Sequence, residues 1–243
     1  MIKKLGLLAL ATSITFASSD ADVINFLKNQ IPPQIVNSLQ IKVINRDSIK
    51  DSNMEAITLE IKSPKRTDKV VFFSDGKFIM KDIVDLKTGE SYAKTLQEKE
   101  LKIALKDEKK ENFVYLGDSK KPLITIFSDP ECPYCRKEVG KLTKMLEVNY
   151  VRMIFTPVHK RPSLEKSHLI YKITQTQKTD AQKIATIQKY FDENVKIDQN
   201  VTDAEVQVIT DLRKKYFSLG LKGVPFIVRE KSEVKIVEAK KTK

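Results

Sequence analysis

Two cysteines, Cys132 and Cys135, are the only ones in 243 residues, and they stand three positions apart where a strand pattern gives way to a helical one. Leu123–Phe127 reads as a buried strand closed by Ser128-Asp129-Pro130, and Arg136–Leu146 carries apolar residues at helical intervals. Around this junction the pattern continues as strand (Phe113–Leu116), strand (Leu123–Phe127), helix, strand (Tyr150–Phe155), a long helical block from about Ser163 to Leu219, and a last pair of strands, Gly223–Val228 and Val234–Val237. Strands alternating with helices predict an α/β sheet with helices on its faces. The cysteine pair is therefore expected at the point where a strand feeds a helix.

That position has a chemical consequence. Unpaired amides and the helix dipole at an N-terminus favour an anion by about 0.3–2 kcal/mol, and the thiolate is the attacking form of cysteine. Cys132 is predicted to face solvent as the nucleophile, with Cys135 one turn inward as the resolving thiol. A zinc site needs about four ligands, and beyond this pair the chain offers only His159 and His168, both read as surface residues. A bracing disulfide closing a four-residue loop would constrain little of the unfolded chain. No metal and no cofactor is expected beyond the redox pair Cys132–Cys135 itself.

The first residues point to export. Met1-Ile2-Lys3-Lys4 is basic, Leu5–Phe16 is apolar but too short to span a bilayer, and Ala17-Ser18-Ser19 offers small residues for cleavage. Residues 1–19 are read as a signal peptide, which places the mature chain where disulfides persist. Hydrophobic residues make up 41 %, enough for a packed core. Loss of residues 1–17 removes Lys3 and Lys4 and no acid, lowering the formal charge from +12 to +10. The lysines are interleaved with acids, as in Lys106-Asp107-Glu108-Lys109-Lys110, and no nucleic-acid motif is present, so most of this charge reads as solvated helix faces.

Residues 20–86 form a separate pattern: an amphipathic helix around Val23–Leu27 ended by Pro32-Pro33, then alternating segments Gln40–Ile44, Ala56–Ile61, Lys69–Phe73 and Lys77–Met80. Asp75-Gly76 between the last two is a hairpin signal. A unit of about 65 residues has a marginal core and gains from pairing with a second copy. Residues 87–110 read as a polar connecting helix with Leu96, Leu101 and Leu105 as sparse apolar points, and residues 111–243 as the chemical domain, with a helical insertion over about 160–219.

Val224-Pro225 is the second chemical signal. A proline opening an apolar strand after Gly220-Leu221-Lys222-Gly223 is a place for a cis bond; the local sequence alone favours a trans proline at a strand start, and the Cys-x-x-Cys upstream in a strand–helix–strand frame reverses that preference. Beside an active thiol, such a loop offers its backbone to an extended peptide.

The stretches Phe73–Ile79, Phe127–Cys135 and Phe155-Thr156-Pro157 give the chain a resemblance to the periplasmic thiol:disulfide interchange proteins of the DsbC and DsbG type, with a thioredoxin-like fold from Ile124 to Val228. The resemblance implies an N-terminal dimerisation domain (20–86), a linker helix (87–110), and a thioredoxin-like catalytic domain (111–243) on each arm of a homodimer. It makes Cys132 the attacking sulfur and Cys135 its partner, has Pro133 and Tyr134 tune the redox potential, and makes Val224-Pro225 the substrate-binding loop. It implies as partners unfolded or wrongly bridged exported proteins and a membrane thiol reductase or oxidase.

Three departures stand out. Val224 replaces the threonine usual in the isomerases and matches the monomeric oxidases, a second cysteine pair is missing, and only Glu238–Lys243 follow the last predicted strand where a closing helix is expected. The buried acid that thioredoxins carry six residues before the first cysteine is Ile126 here, which leaves water or Glu131 to take the proton of Cys135. The expected function is that of a periplasmic disulfide isomerase or reductase. The alternatives are a dimeric thiol oxidase, favoured by Val224, and a holdase chaperone with secondary redox activity.

Overall fold

The structure, a computed structural model, describes residues 18–64, 67–197 and 199–230. The predicted signal peptide falls almost wholly outside these residues, as do the strand Val234–Val237 and the segment after it. Among the described residues no helix is long and apolar enough to cross a membrane.

The chain begins with α1 (Asp20–Asn29) and a short α2 (Pro33–Val36). Ser19 caps α1: its hydroxyl accepts from the Asp22 amide while the Asp22 carboxylate accepts from the Ser19 amide. A meander follows, β1 (Gln40–Ser48), β2 (Glu55–Lys62), β3 (Thr67–Ser74) and β4 (Ile79–Met80), antiparallel throughout in the order β1-β2-β3-β4. Val23 and Leu27 of α1 pack against Ile41, Ile57 and Leu59, a small core as expected for a unit of this size. The fourth strand starts two residues later than its sequence pattern predicts. The Lys77 and Phe78 amides donate to Asp75 Oδ1, and Gly76 takes φ +94°, so the turn consumes them.

The polar helix is α3 (Tyr92–Lys106), capped by Ser91. Its few apolar residues join both halves of the molecule. Leu96 and Ala93 pack on the cluster around Phe73, while Leu101 and Leu105 are buried in the second core.

That second core surrounds β5 (Val114–Leu116), β6 (Leu123–Ser128), α4 (Pro133–Val139), α5 (Leu142–Leu146), β7 (Tyr150–Phe155), α6 (Arg161–Thr174), α7 (Asp180–Phe191), α8 (Asp203–Ser218) and β8 (Phe226–Arg229). The sheet order is β5-β7-β6-β8, with β6 and β7 parallel and both edge strands antiparallel. The β6–β7 crossover holds α4 and α5, as a parallel pair requires. The helix predicted after the cysteines is broken at Gly140-Lys141, and the long helical block resolves into α6, α7 and α8. Thr179 with Gln182 and Thr202 with Glu205 form capping boxes that restart the chain as helix each time. The mixed α/β architecture, a small helix-plus-antiparallel-sheet unit ahead of an α/β domain with a helical insertion, is the fold class read from the sequence.

Candidate active site

Strand β6 is buried from Ile124 onward and runs straight into Asp129, so the turn Asp129-Pro130-Glu131 leaves the sheet at a fixed position. Cys132 is the N-cap of α4, with Pro133 at the first helical position, where a missing N–H costs nothing. The Cys132 amide donates to the Asp129 carbonyl at 3.1 Å. Cys132 keeps 5 % of its surface and Cys135 none. The expectation of a sulfur open to solvent is thus corrected. The loop ahead of β8 folds over it, and the Cys132 thiol donates to the Val224 carbonyl at 3.6 Å. The Val224–Pro225 peptide bond is cis. Both cysteines stand as free thiols. Pro133 and Tyr134 lie on the outward face; Tyr134 is 68 % exposed, with the Lys137 ammonium 5.6 Å from its ring centre.

Burial pushes the Cys135 thiol well above the usual range, and the neighbouring Cys132 adds to the rise. The Ser128 hydroxyl works against this by hydrogen bonding that favours the Cys135 thiolate. Ser128 Oγ is itself buried and has no other partner of regular geometry. Ile126, where thioredoxins carry an acid, is buried and apolar. Glu131 is already held, because Lys166 Nζ sits 2.6 Å from its Oε1. Ser128 is therefore the side chain that faces the resolving thiol.

Asp129, read from sequence only as part of a turn, organises the site. It is fully buried, and its carboxylate accepts from the Glu131 amide at 2.9 Å, the Val158 amide at 2.8 Å, the His159 amide at 3.2 Å and the Ser163 hydroxyl. His159 Nδ1 lies 2.6 Å from Asp129 Oδ2. Burial raises the Asp129 carboxyl, but the bonds from Ser163, His159, Glu131 and Val158 outweigh it and hold the group below the usual carboxylate range. His159 is a surface residue as expected, its side chain 44 % exposed, but it is anchored to Asp129; His168 is not, being only 19 % exposed and 3.1 Å from Glu205.

The insertion clamps the thiol helix from the other side. Arg136 of α4 donates to the Phe191 carbonyl at 2.7 Å and pairs with Glu193 at 2.9 Å. Lys166, 3 % exposed, reaches both Glu131 and the Asp192 carbonyl. A lysine is rarely so buried unless paired. Its sequence signal is its place on the inward face of α6 with Ser163, Ser167, Ile170 and Thr174. The structure therefore brings Cys132, Cys135, Val224 and Pro225 into one site. It leaves Pro133 and Tyr134 at the rim, and adds Ser128, Asp129, Lys166 and His159.

A scan against protein-family models finds no match, and no curated protein matches by sequence. Solved structures do. DsbG of Helicobacter pylori is similar over 86 % of this chain and 99 % of its own, at 19 % identity and a TM-score of 0.52. The thiol-disulfide exchange protein α-DsbA2 of Wolbachia pipientis covers 56 % of this chain and 86 % of its own, at 12 % identity and a TM-score of 0.44. The catalytic domain of Proteus mirabilis ScsC covers 56 % and 85 %, at 18 % identity and 0.43. The likeness to the Helicobacter protein spans both units of the chain, and it shows a DsbG-like architecture: a small antiparallel unit leading into a thioredoxin fold with a helical insertion.

Proposed function

We propose that this chain is an exported thiol:disulfide interchange protein of isomerase or reductase type, acting through Cys132 and Cys135 on proteins outside the cytoplasm. The observation that carries this reading is the Cys132 thiol at the N-cap of α4, 3.6 Å from the carbonyl of Val224, with Cys135 buried one turn behind it. A nucleophile at a helix start, a second thiol in reach and an accessible loop backbone beside them are the parts that disulfide exchange needs.

The Cys132 thiolate attacks one sulfur of a client disulfide. A Cys132–client bond forms, the client S–S bond breaks, and the second client sulfur leaves as a thiolate that takes up a proton. In isomerisation another client thiolate attacks the client sulfur of the mixed disulfide, and Cys132 departs reduced with no net transfer of electrons. In reduction Cys135 gives up its proton and attacks Cys132 Sγ, the client sulfur leaves, and two electrons have passed from the protein to the client. The Val224-Pro225 loop offers its backbone to the client beside the reacting sulfur. Pro133 and Tyr134, at the rim, bear on the stability of the Cys132–Cys135 disulfide.

A homodimer formed through residues 20–86 fits this reading, because Phe26 and Phe78 border one shallow cavity there and are 40 % and 58 % exposed. Val224 favours a second reading, a dimeric oxidase that donates the Cys132–Cys135 disulfide to clients and is itself reoxidised at the membrane. Thiol alkylation of the exported protein separates the two. A mostly reduced pair supports the isomerase or reductase, and a mostly oxidised pair the donor. The C132A/C135A variant should fail to recover scrambled ribonuclease; recovery at the unmodified rate would overturn thiol chemistry, and suppression of aggregation unchanged by the replacement would support a holdase chaperone.

A further inference from the structure

Two adjoining cavities of about 970 and 420 Å³ run between the N-terminal sheet and the thiol domain, sharing Lys69, Gly220 and Lys222 in their walls. One wall is the sheet, lined by Thr58, Ile61 and Val70; the other is the end of α8 and the loop after it. Gln97 of α3 crosses between them, donating to the Gly220 carbonyl at 2.6 Å. The larger cavity is bordered by Lys69, Arg213, Lys214, Lys215 and Lys222 against a single acid, Asp68.

Some of this charge is engaged. Lys215 is bound to Glu108 at 2.7 Å, Lys69 lies 3.3 Å from Glu100 and Lys214 3.8 Å from Asp211. Arg213 and Lys222 have no ion-pair partner among the described residues. They stand across a concave wall, where low-dielectric surroundings focus the field of like charges into the groove.

The groove and the reactive sulfur share one loop. Lys222 and Leu221 line the groove, and two residues after Lys222 the Val224 carbonyl meets Cys132. Val158 also lines the cavity, and its amide is fixed by Asp129. A polypeptide whose disulfide or dithiol reaches Cys132 thus has the rest of its chain directed along this wall. There, Ile61, Val70 and Phe217 offer apolar contacts between the cations.

We propose that this groove selects acidic client segments: an extended polypeptide with Asp or Glu interspersed among apolar residues, lying between β3 and α8 while its sulfur reacts at Cys132. The assignment rests on the interchange function above and adds the client's charge to it. Association is then steered by Arg213 and Lys222 and weakens with salt, because these charges face solvent.

The test uses full-length oxidised protein in single turnover, with two peptides of one length carrying the same cysteine pair, one flanked by glutamates and one by glutamines. A peptide thiolate attacks Cys132 Sγ, and Cys135 leaves as a thiolate and is protonated. The second peptide thiolate then displaces Cys132, so two electrons pass from peptide to protein. At low ionic strength the acidic peptide is expected to react about tenfold faster, the advantage falling towards parity at high salt. In R213Q/K222Q the ratio falls to near one, and in R213E/K222E it inverts.

Dithiothreitol, too small to use the groove, reports the chemistry alone. Intact dithiothreitol oxidation with equal peptide rates in the unmodified protein would overturn the selectivity and leave the interchange function standing. Failure with dithiothreitol would sink the interchange function itself. Equal peptide rates together with sedimentation on phosphatidylglycerol vesicles that R213E/K222E abolishes would assign the charge to a membrane surface and overturn the client groove.

Discussion

Replacing Ser128 by Ala should slow the second half of a reductive cycle and leave the first half alone. Cys135 must lose a proton in a site that disfavours its thiolate by burial, and the Ser128 hydroxyl is the side chain that opposes this. A hydrogen bond to a charged group contributes about 1.5–3 kcal/mol, and the more basic thiolate that remains is the better nucleophile. The net expectation is about tenfold slower release of a labelled peptide from its mixed disulfide with Cys132, at an unchanged rate of formation. Equal release rates would remove Ser128 from the proton path. Asp129 gives a prediction with a pH signature. Its carboxyl is depressed in the folded protein, so its bonds add stability that is fully present above the unfolded value near pH 4. That stability is lost as the pH falls through the lower folded value. Asp129→Asn should cost about 2 kcal/mol at pH 7. It should also flatten the loss of stability between about pH 5 and pH 2 that the unmodified protein undergoes, measured by urea midpoints across that range. Parallel pH curves for the two proteins would show that Asp129 does not carry the acid sensitivity.

Among the elements, α3 carries the most telling experiment, because its sequence and its packing point in different directions. Lysines and glutamates dominate it, and its three leucines are too sparse to form a continuous stripe, so periodicity alone describes a solvated spacer. Yet Leu101 is fully buried among residues of the thiol domain, and Glu108, just past its end, accepts from Lys215 at 2.7 Å and Tyr216 at 2.9 Å. Leu101→Ala should therefore lower the stability of the thiol domain by about 3 kcal/mol, seen as a lower urea midpoint for the protection of Cys135 against alkylation. An unchanged midpoint would restore the spacer. The same contrast explains what the sequence made legible. The strands around Cys132 were readable because each is a short apolar run of β-branched and aromatic residues, and the two turns at Thr179 and Thr202 carried capping boxes plain enough to have divided the helical block. The contacts of Asp129 with His159 and Ser163, and of Lys166 with Glu131, join positions 30 or more residues apart. No local propensity records such a pairing, and only the return of β7 beside β6 brings those groups together.

At the scale of the whole molecule, the two units differ in how well they stand alone. The thiol domain has one continuous core running from Leu101 to Val228, with aromatic contacts such as Phe127 against Tyr216 at 4.9 Å beneath the active strand. The N-terminal sheet divides its buried residues between two small clusters, and leaves Phe26, Ile35 and Phe78 open. A unit of that size buries only about 60 % of the surface its unfolded chain exposes, which makes a second copy its natural complement. Its β1 edge is unsuited to extending the sheet, since the register shifts between Val43 and Asn45 and a bulged edge resists strand addition. The apolar patch bordered by Phe26 and Phe78 is the better candidate for the contact. F26D/F78D, or removal of residues 18–86, should therefore convert a dimer to a monomer in light scattering. The truncated protein should still oxidise dithiothreitol, because Cys132, Cys135 and Val224 all lie in the self-contained core. It should keep only part of the preference for acidic peptides, because Arg213 and Lys222 remain while the wall that confines the peptide beside them is gone. A truncated protein that remains dimeric would refute the assignment of residues 20–86 to dimerisation. A truncated protein that keeps its full peptide preference would move the selectivity from the groove to the thiol domain alone.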